Sequence, residues 1–118
     1  MAVSTEFQDY VLEQLADIGI ITPRKMFGGI GLYYRHLFFG ILFNNNFYLK
    51  VDDTNRAEYE NAGMPAFKPY KNRPATMQYY EVPAEILEDK MQLKIWAQKA
   101  IEAASNASKG KVFLRDTP

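Results

Sequence analysis

The stretch that decides the fold is residues 24–52, which read RKMFGGIGLYYRHLFFGILFNNNFYLKVD. Apolar and aromatic residues dominate this stretch, and two short polar groups interrupt it. We predict three antiparallel strands joined by two tight turns. Arg35 and His36 form a two-residue turn, and residues 44–46, all asparagine, form a three-residue loop, because asparagine tolerates left-handed backbone.

These two turns give one consistent register. The residues expected to face each other are Tyr34 and Leu37, Leu32 and Phe39, Gly31 and Gly40, Ile30 and Ile41, Ile41 and Leu49, Phe43 and Phe47, and Phe39 and Val51. Because side chains alternate between the two faces of a strand, the large apolar residues collect on one face. This predicted core face comprises Ile30, Leu32, Tyr34, Leu37, Phe39, Ile41, Phe43, Phe47, Leu49 and Val51.

The opposite face carries glycines bordered by aromatic residues. Its predicted members are Phe27, Gly29, Gly31, Tyr33, Phe38, Gly40, Leu42, Tyr48 and Lys50. A strand surface that faces water is normally polar, so this face is expected to meet something. Glycine within a strand marks a bulge, a bend or a close approach by another group. Either a helix of the same chain fills the glycine groove, or a partner or ligand does.

Composition limits the classes of protein that this chain represents. Its 118 residues are enough for one domain with a sizeable core. The absence of cysteine excludes disulfides, thiolate metal sites and cysteine nucleophiles. A net charge of zero, from 14 basic and 14 acidic residues, argues against a broad nucleic-acid footprint. No apolar run is long enough to span a bilayer and the N-terminus lacks an export signal, so we expect a cytoplasmic protein without membrane contact.

The rest of the chain predicts helices around this ribbon. A capping box at residues 5–8 and a stripe ending at Ile18 predict a first helix, which Gly19 ends. A short helix capped by Thr54 follows, then an irregular segment at 63–70 and a strand at 75–82. Pro83 opens another helical segment, and Asp89 caps a longer helix. Its inner stripe is Leu93, Trp96, Ala97, Ala100, Ile101 and Ala104.

The order of elements predicts an α+β fold with two layers, α-β(3)-α-β(2)-α, and an antiparallel five-stranded sheet. We assign residues 1–105 to a single domain. Residues 106–118 lose the helical period and gain serine, glycine and charge, which predicts a flexible C-terminal tail.

The sequence offers no converging set of acids, bases or nucleophiles, so we predict neither catalysis nor a cofactor or metal. The single histidine, His36, lies in a predicted turn without a partner for a triad or a metal site. A second hypothesis is nucleic-acid contact through Lys68, Lys71 and Arg73, which alternate with aromatic residues as in single-strand binding surfaces. A solvated edge strand is the default interpretation of these three cations, because they are few and acidic residues nearby offset them.

Several separated motifs occur in a characteristic order. They are Met26-Phe27-Gly28-Gly29 with Gly31, then residues 47–52, then Gly63-Met64-Pro65 with Phe67 and Tyr70, then residues 77–83, and finally Trp96-Ala97 with Ala100. Together they resemble the N-terminal domain of the TfoX/Sxy competence regulators, over residues 5 to 105. The resemblance implies a fold similar to that of type III secretion chaperones, and it implies no catalytic residues.

Full-length members of that family carry a second, helical domain, and this chain ends before such a domain. We therefore expect any contact with nucleic acid to be indirect. The leading hypothesis is a non-enzymatic regulatory or adaptor domain that acts by protein contact, with a homodimer as one form. The predicted partner-binding residues are Phe27, Gly29, Gly31, Tyr33, Tyr48 and Lys50, with Phe67 and Tyr70 at the periphery. A small enzyme or metabolite binder ranks last.

Overall fold

The computed structural model describes the backbone of residues 3–26, 28–68 and 78–116, and the side chains of these residues as far as 108. The elements in chain order are α1 (Thr5–Gln14), β1 (Ile21–Met26), β2 (Gly29–Tyr34), β3 (Leu37–Phe43), β4 (Asn46–Lys50), α2 (Arg56–Asn61), β5 (Tyr79–Glu81), α3 (Ala84–Glu88) and α4 (Lys90–Asp116). No helix among the described residues combines the length and the apolar character that a membrane crossing requires.

The sheet confirms the predicted fold class, with a different distribution of strands. Its five described strands are all antiparallel and follow one another in chain order, β1-β2-β3-β4-β5. Four of them precede α2, where three were predicted, because residues 21–26 pair with β2 along the edge of the sheet. Pro23 is accommodated there because an edge strand needs no amide donor on its outer side. After α2, a single bridge between Ala66 and Tyr80 accompanies β5 in the described residues.

The predicted register between β2 and β3 is correct only beside the turn. Tyr34 pairs with Leu37, but the register then shifts, so that Leu32 pairs with Gly40. The predicted pairing of Gly31 with Gly40 is therefore wrong. A β-bulge at Phe39 causes the shift, because it places two residues of β3 opposite one of β2. Gly40 permits the bulge, since a side chain at that position would begin 3.2 Å from the ring of Phe47.

The second turn also differs from the prediction. It contains two residues, Asn44 and Asn45, and both have positive φ, 51° and 59°. Two consecutive residues of this kind make a type I′ turn, whose twist matches that of the flanking strands, so the predicted three-residue loop is wrong. The change of phase along β3 moves Ile41 to the face opposite the helices. Leu42, predicted on the glycine face, enters the main core in its place.

The helices cover one face of the sheet, which we call the helix face. α4 packs on β3 and β4, and the short α3 lies against α4. The stripe predicted for α4 is confirmed, because Leu93, Ala97 and Ala100 have no exposed surface. Small residues along α4 let its backbone approach the sheet closely. The buried sheet residues beneath the helices are Leu32, Phe39, Leu42, Phe47, Leu49 and Val51.

The residue predicted to cap α4 is confirmed, and the residue predicted to cap α1 is wrong. Asp89 caps α4 as predicted, because its carboxylate accepts hydrogen bonds from the amides of residues 91 and 92 at 3.1 Å. The first helix is capped by Ser4 and not by Thr5, since the Ser4 hydroxyl accepts from the Phe7 amide. α4 runs on to Asp116, past the domain boundary predicted at residue 105.

Candidate interaction surface

The face of the sheet opposite the helices carries a second apolar cluster, which we call the aromatic face. Its residues are Tyr33, Phe38, Ile41, Phe43, Tyr48, Phe67 and Tyr79. The residues of this cluster come from strands and from the segment after α2, and none comes from a described helix. The aromatic face is thus built from side chains of the sheet itself and one short covering segment.

Neighbouring residues of the sheet fill the space that a side chain would occupy at each glycine of β2. A Cβ added to Gly29 would lie 2.3 Å from the carbonyl oxygen of Leu42, and one added to Gly31 would lie 2.9 Å from the sulfur of Met26. Both glycines are buried. Of the two alternatives for this groove, a helix of the chain does not fill it in the described residues, because the neighbouring strands already occupy the space at both glycines.

Phe67 closes the half of the aromatic face that lies over β3 and β4. Its ring meets Phe43 edge-on at 5.4 Å and Tyr48 at 4.8 Å, measured between ring centroids. Hydrogen bonds hold its segment beside β5, since the Phe67 amide donates to the Tyr79 carbonyl at 2.7 Å. Phe67 is 1% exposed. Burial also raises the pKa of the Tyr48 hydroxyl, and nearby Glu81 adds to that rise.

The other half of this face is an aromatic row that crosses the sheet. We define the row as Tyr33, Phe38 and Tyr79, and the two contacts between successive rings each have a centroid distance of 5.1 Å. A cation lies over each end: the Arg24 guanidinium is 5.4 Å from the centre of the Tyr33 ring, and the Lys50 ammonium is 5.2 Å from that of Tyr79. Such contacts are favourable because the ring face is electron-rich.

The row is rigid at one end and open at the other. The Tyr79 hydroxyl donates to the Phe38 carbonyl at 3.0 Å, and burial raises the pKa of that hydroxyl well above its ordinary value. Tyr33 and Phe38 are only half-buried, and Arg24 is exposed. The ring of Tyr33 opens into a depression of about 290 Å³, which Arg24, Arg35 and His36 also line.

The charge around the open end is positive. The lining of the depression includes no carboxylate. Within the described part of the chain, neither Arg24 nor Arg35 takes part in an ion pair. Each instead lies over a tyrosine ring, Arg24 over Tyr33 and Arg35 over Tyr34. A partly exposed aromatic pair with unpaired cations beside it fits an anionic and apolar partner surface.

A family model of the TfoX N-terminal domain matches residues 13–104. The chain belongs to the TfoX N-terminal domain family. The match confirms the resemblance stated from the sequence motifs. The matched residues include the end of α1, every described strand, α2, α3 and the part of α4 up to residue 104. A search of curated proteins finds no match.

In this TfoX N-terminal domain the predicted interaction residues separate into groups. Tyr33 belongs to the aromatic row and Lys50 lies over its Tyr79 end, whereas Tyr48 and Phe67 are buried around the covering segment. Lys68 is exposed. Four further predicted residues lie outside the described residues: Phe27, Tyr70, Lys71 and Arg73.

The predicted interaction residues did not include Phe38 and Tyr79 of the row, or Arg24 beside it. Arg24 was missed because β1 was not predicted. Tyr79 was missed because residues 75–82 have no clean alternation that would assign an inner face. A useful signal was present in Thr22-Pro23-Arg24-Lys25, since proline and cations are typical of exposed edge strands. No group of three potential metal ligands occurs among the described residues.

Proposed function

We propose that this TfoX N-terminal domain is a non-enzymatic regulatory adaptor in the cytoplasm, which binds another protein through the open end of the aromatic row. The family to which it belongs, named for a competence regulator, supports a regulatory role. The observation that carries the proposal is the stack of Arg24, Tyr33 and Phe38, partly exposed on a sheet face that no described helix covers.

The partner surface follows from this chemistry. Tyrosine and arginine are enriched among the residues that contribute most of the binding energy at interfaces, and phenylalanine is enriched in interface cores. Aromatic rings contribute large contact areas with only two side-chain torsions, and the arginine guanidinium adds charge and several hydrogen-bond donors. Arg24 and Arg35 favour carboxylates on the partner, and the rings of Tyr33 and Phe38 favour an apolar side chain beside them. The expected partner is therefore a protein segment with acidic and apolar residues in alternation.

Nucleic-acid binding is the second candidate function, and the same cations favour it. Arginine and aromatic residues together form the usual surface for single strands. The arrangement here favours it less, because Arg24 and Lys50 already lie over the rings of Tyr33 and Tyr79, onto which bases would have to stack.

Site-specific photocrosslinking tests both functions in living cells. A photoreactive phenylalanine analogue replaces Tyr33 in one variant and Tyr10 in a control, since Tyr10 is 40% exposed on α1, away from the aromatic face. We expect a discrete adduct from position 33 that a protease removes and a nuclease leaves intact. Adding Arg24→Glu should abolish it.

The other possible outcomes of the crosslinking experiment distinguish the alternatives. A nuclease-sensitive adduct supports the nucleic-acid function, and an adduct of twice the chain mass identifies a homodimer. Equal adducts from positions 33 and 10, or none from position 33, contradict the proposed surface. Melting curves of both variants establish that the substitutions leave the fold intact.

A further inference from the structure

A second surface depression lies on the helix side of the molecule, where α2, α3 and α4 meet. It has a volume of about 400 Å³, within the range of pockets that hold ligands. Its apolar part is formed by Met64, Ile86 and Trp96, and its rim carries Glu58, Asn61 and Glu85. We call it the acidic-rimmed pocket. No lysine or arginine is among its lining residues.

Trp96 gives this pocket a firm aromatic wall. Its indole packs edge-on against the ring of Tyr59 behind it, with centroids 4.7 Å apart, and Tyr59 is 1% exposed. Trp96 itself keeps 9% of its surface exposed, on a helix face whose neighbours Leu93 and Ala97 keep none. Trp96 lines the pocket with the part of its indole that remains exposed, and among aromatic side chains the indole attracts cations most strongly.

One rim carboxylate, that of Glu58, is already paired with an ammonium group from outside the pocket lining. The Lys99 ammonium donates to the Glu58 carboxylate at 3.0 Å, and both side chains are partly exposed. Glu85 is exposed and forms no ion pair in the described part of the chain. The pocket therefore contains one carboxylate with a cationic partner and a second carboxylate without one, beside an indole.

We propose that the acidic-rimmed pocket binds an arginine or lysine side chain of a partner polypeptide, together with an apolar residue next to it. The cation fits between Glu85 and Trp96, where a carboxylate and a π-surface both favour it. Met64 and Ile86 provide apolar area that an isolated ammonium does not use but a neighbouring side chain does. The amide of Asn61 both donates and accepts, as recognition of a peptide backbone requires.

This proposal does not depend on the function proposed for the aromatic row. The pocket and the row lie on opposite sides of the sheet, because Trp96 belongs to the helix-face core and Tyr33 stacks on the other face. Loss of crosslinking at Tyr33 would not count against the proposal for the pocket. Failure of the pocket to bind cations would likewise not count against the function proposed for the aromatic row.

The experiment uses Trp96, the only tryptophan of the chain, as an internal probe. The ligand is a capped pentapeptide with a central arginine between two leucines, and its control carries glutamine in place of arginine. We expect a saturable change in the indole fluorescence and in the indole N–H resonance with the arginine peptide. The glutamine peptide should bind about fivefold more weakly, the ratio that one modest cation–π and charge contribution produces.

Matched variants distinguish the effect of a rim carboxylate on peptide binding from the effect of the overall charge of the protein. Glu85→Gln should weaken the arginine peptide severalfold, whereas Glu88→Gln, an exposed glutamate of the same helix outside the pocket, should leave it unchanged. Glu58→Gln provides a second rim variant and also releases Lys99. All variants keep the tryptophan, so the same signal is read in each.

Four results would overturn the proposal. They are equal binding of the two peptides, equal losses in Glu85→Gln and Glu88→Gln, a response to the free polyamine spermidine as strong as to the peptide, and an indole signal that varies with protein concentration alone. The third result would identify a small amine as the ligand. The fourth would identify a second copy of the chain.

Discussion

The two faces of the sheet are shielded from water in different ways. The helix face is covered by α1, α3 and α4, and its central residues Leu32, Leu42 and Leu49 are aliphatic and fully buried. The aromatic face is covered, within the described residues, by one short segment around Phe67 and by its own rings. Half-buried rings and cations occur on the second face because part of it remains in contact with water.

This difference separates a face that stabilises from a face that is available for contacts. Aliphatic side chains beneath helices contribute mainly through the area removed from water and through close packing. Half-buried rings with cations over them contribute less to stability, but they keep area and charge that a partner can use. Substitutions at matched positions on the two faces should therefore differ in their cost.

The largest expected difference is between the adjacent residues Phe39 and Phe38. Phe39→Ala removes a fully buried ring from the helix face and should lower the free energy of unfolding by about 3–5 kcal/mol. Phe38→Ala removes a half-buried ring from the aromatic row and should cost about 1–2 kcal/mol. Urea unfolding monitored by circular dichroism measures both. Equal costs would show that the aromatic face is as closed as the helix face.

The next comparison uses the two glycines of β2. Gly29→Ala places a methyl group against the backbone carbonyl of Leu42, which cannot move without breaking the strand pairing, so we expect a loss of roughly 2–3 kcal/mol. Gly31→Ala meets the flexible end of Met26, which can rotate away, so the loss should stay below about 1 kcal/mol. Midpoints of urea unfolding for the two variants give the order, and the reverse order would refute this account of the groove.

Alkaline conditions should destabilise the fold through buried tyrosines on both faces. Burial raises the pKa of Tyr59 and of Tyr79 in the folded state above the value of about 10 expected for the unfolded chain. The neutral hydroxyls therefore favour the folded state fully below pH 10, and this advantage falls as the pH rises beyond it. At pH 11 each tyrosine should lower the free energy of unfolding by at most about 1.4 kcal/mol.

Measurement of stability from pH 9 to pH 11 tests the alkaline loss. The double variant Tyr59→Phe with Tyr79→Phe should show a smaller decrease than the parent over that interval. An unchanged slope in the double variant would assign the loss to other groups.

The smallest expected effects concern the same two hydroxyls at neutral pH, and they have opposite signs. The Tyr79 hydroxyl donates to the Phe38 carbonyl, so Tyr79→Phe should cost about 1 kcal/mol. The Tyr59 hydroxyl is buried and has no hydrogen-bond partner among the described residues, so Tyr59→Phe should be neutral or stabilising by up to about 1 kcal/mol. Thermal unfolding at pH 7 compares them, and a destabilised Tyr59→Phe would reveal a bonding partner for that hydroxyl.

Much of the fold was predictable because local signals act over a few residues. Asp89 and Gly63 mark helix ends through capping and through a positive φ of 72° that glycine adopts easily. The spacing of Leu93, Ala97 and Ala100 identifies the inner side of α4. The turn at Arg35 and His36 was also predictable, because two polar residues separate two apolar runs.

The bulge at Phe39 and the length of the second turn were not predictable, because the alternative register is equally regular on paper. In the structure the ring of Phe47 takes the space above Gly40, and Phe47 pairs with Leu42 in the shifted register. This shift decides that Leu42 is in the main core and that Ile41 faces the other way. Packing between strands is a property of three segments together and has no local signature.

The sequence by itself determined the fold class, the family, the inner stripe of α4 and the presence of a glycine-rich face with aromatic borders, since composition, period and motif order carry that information. Only the tertiary structure decided what fills that face and which residues meet. The aromatic row joins side chains from β2, β3 and β5 to cations of β1 and β4, and the acidic-rimmed pocket joins α2, α3 and α4. Contacts between segments far apart in sequence depend on register and on docking, which are settled when the whole sheet and its helices pack together.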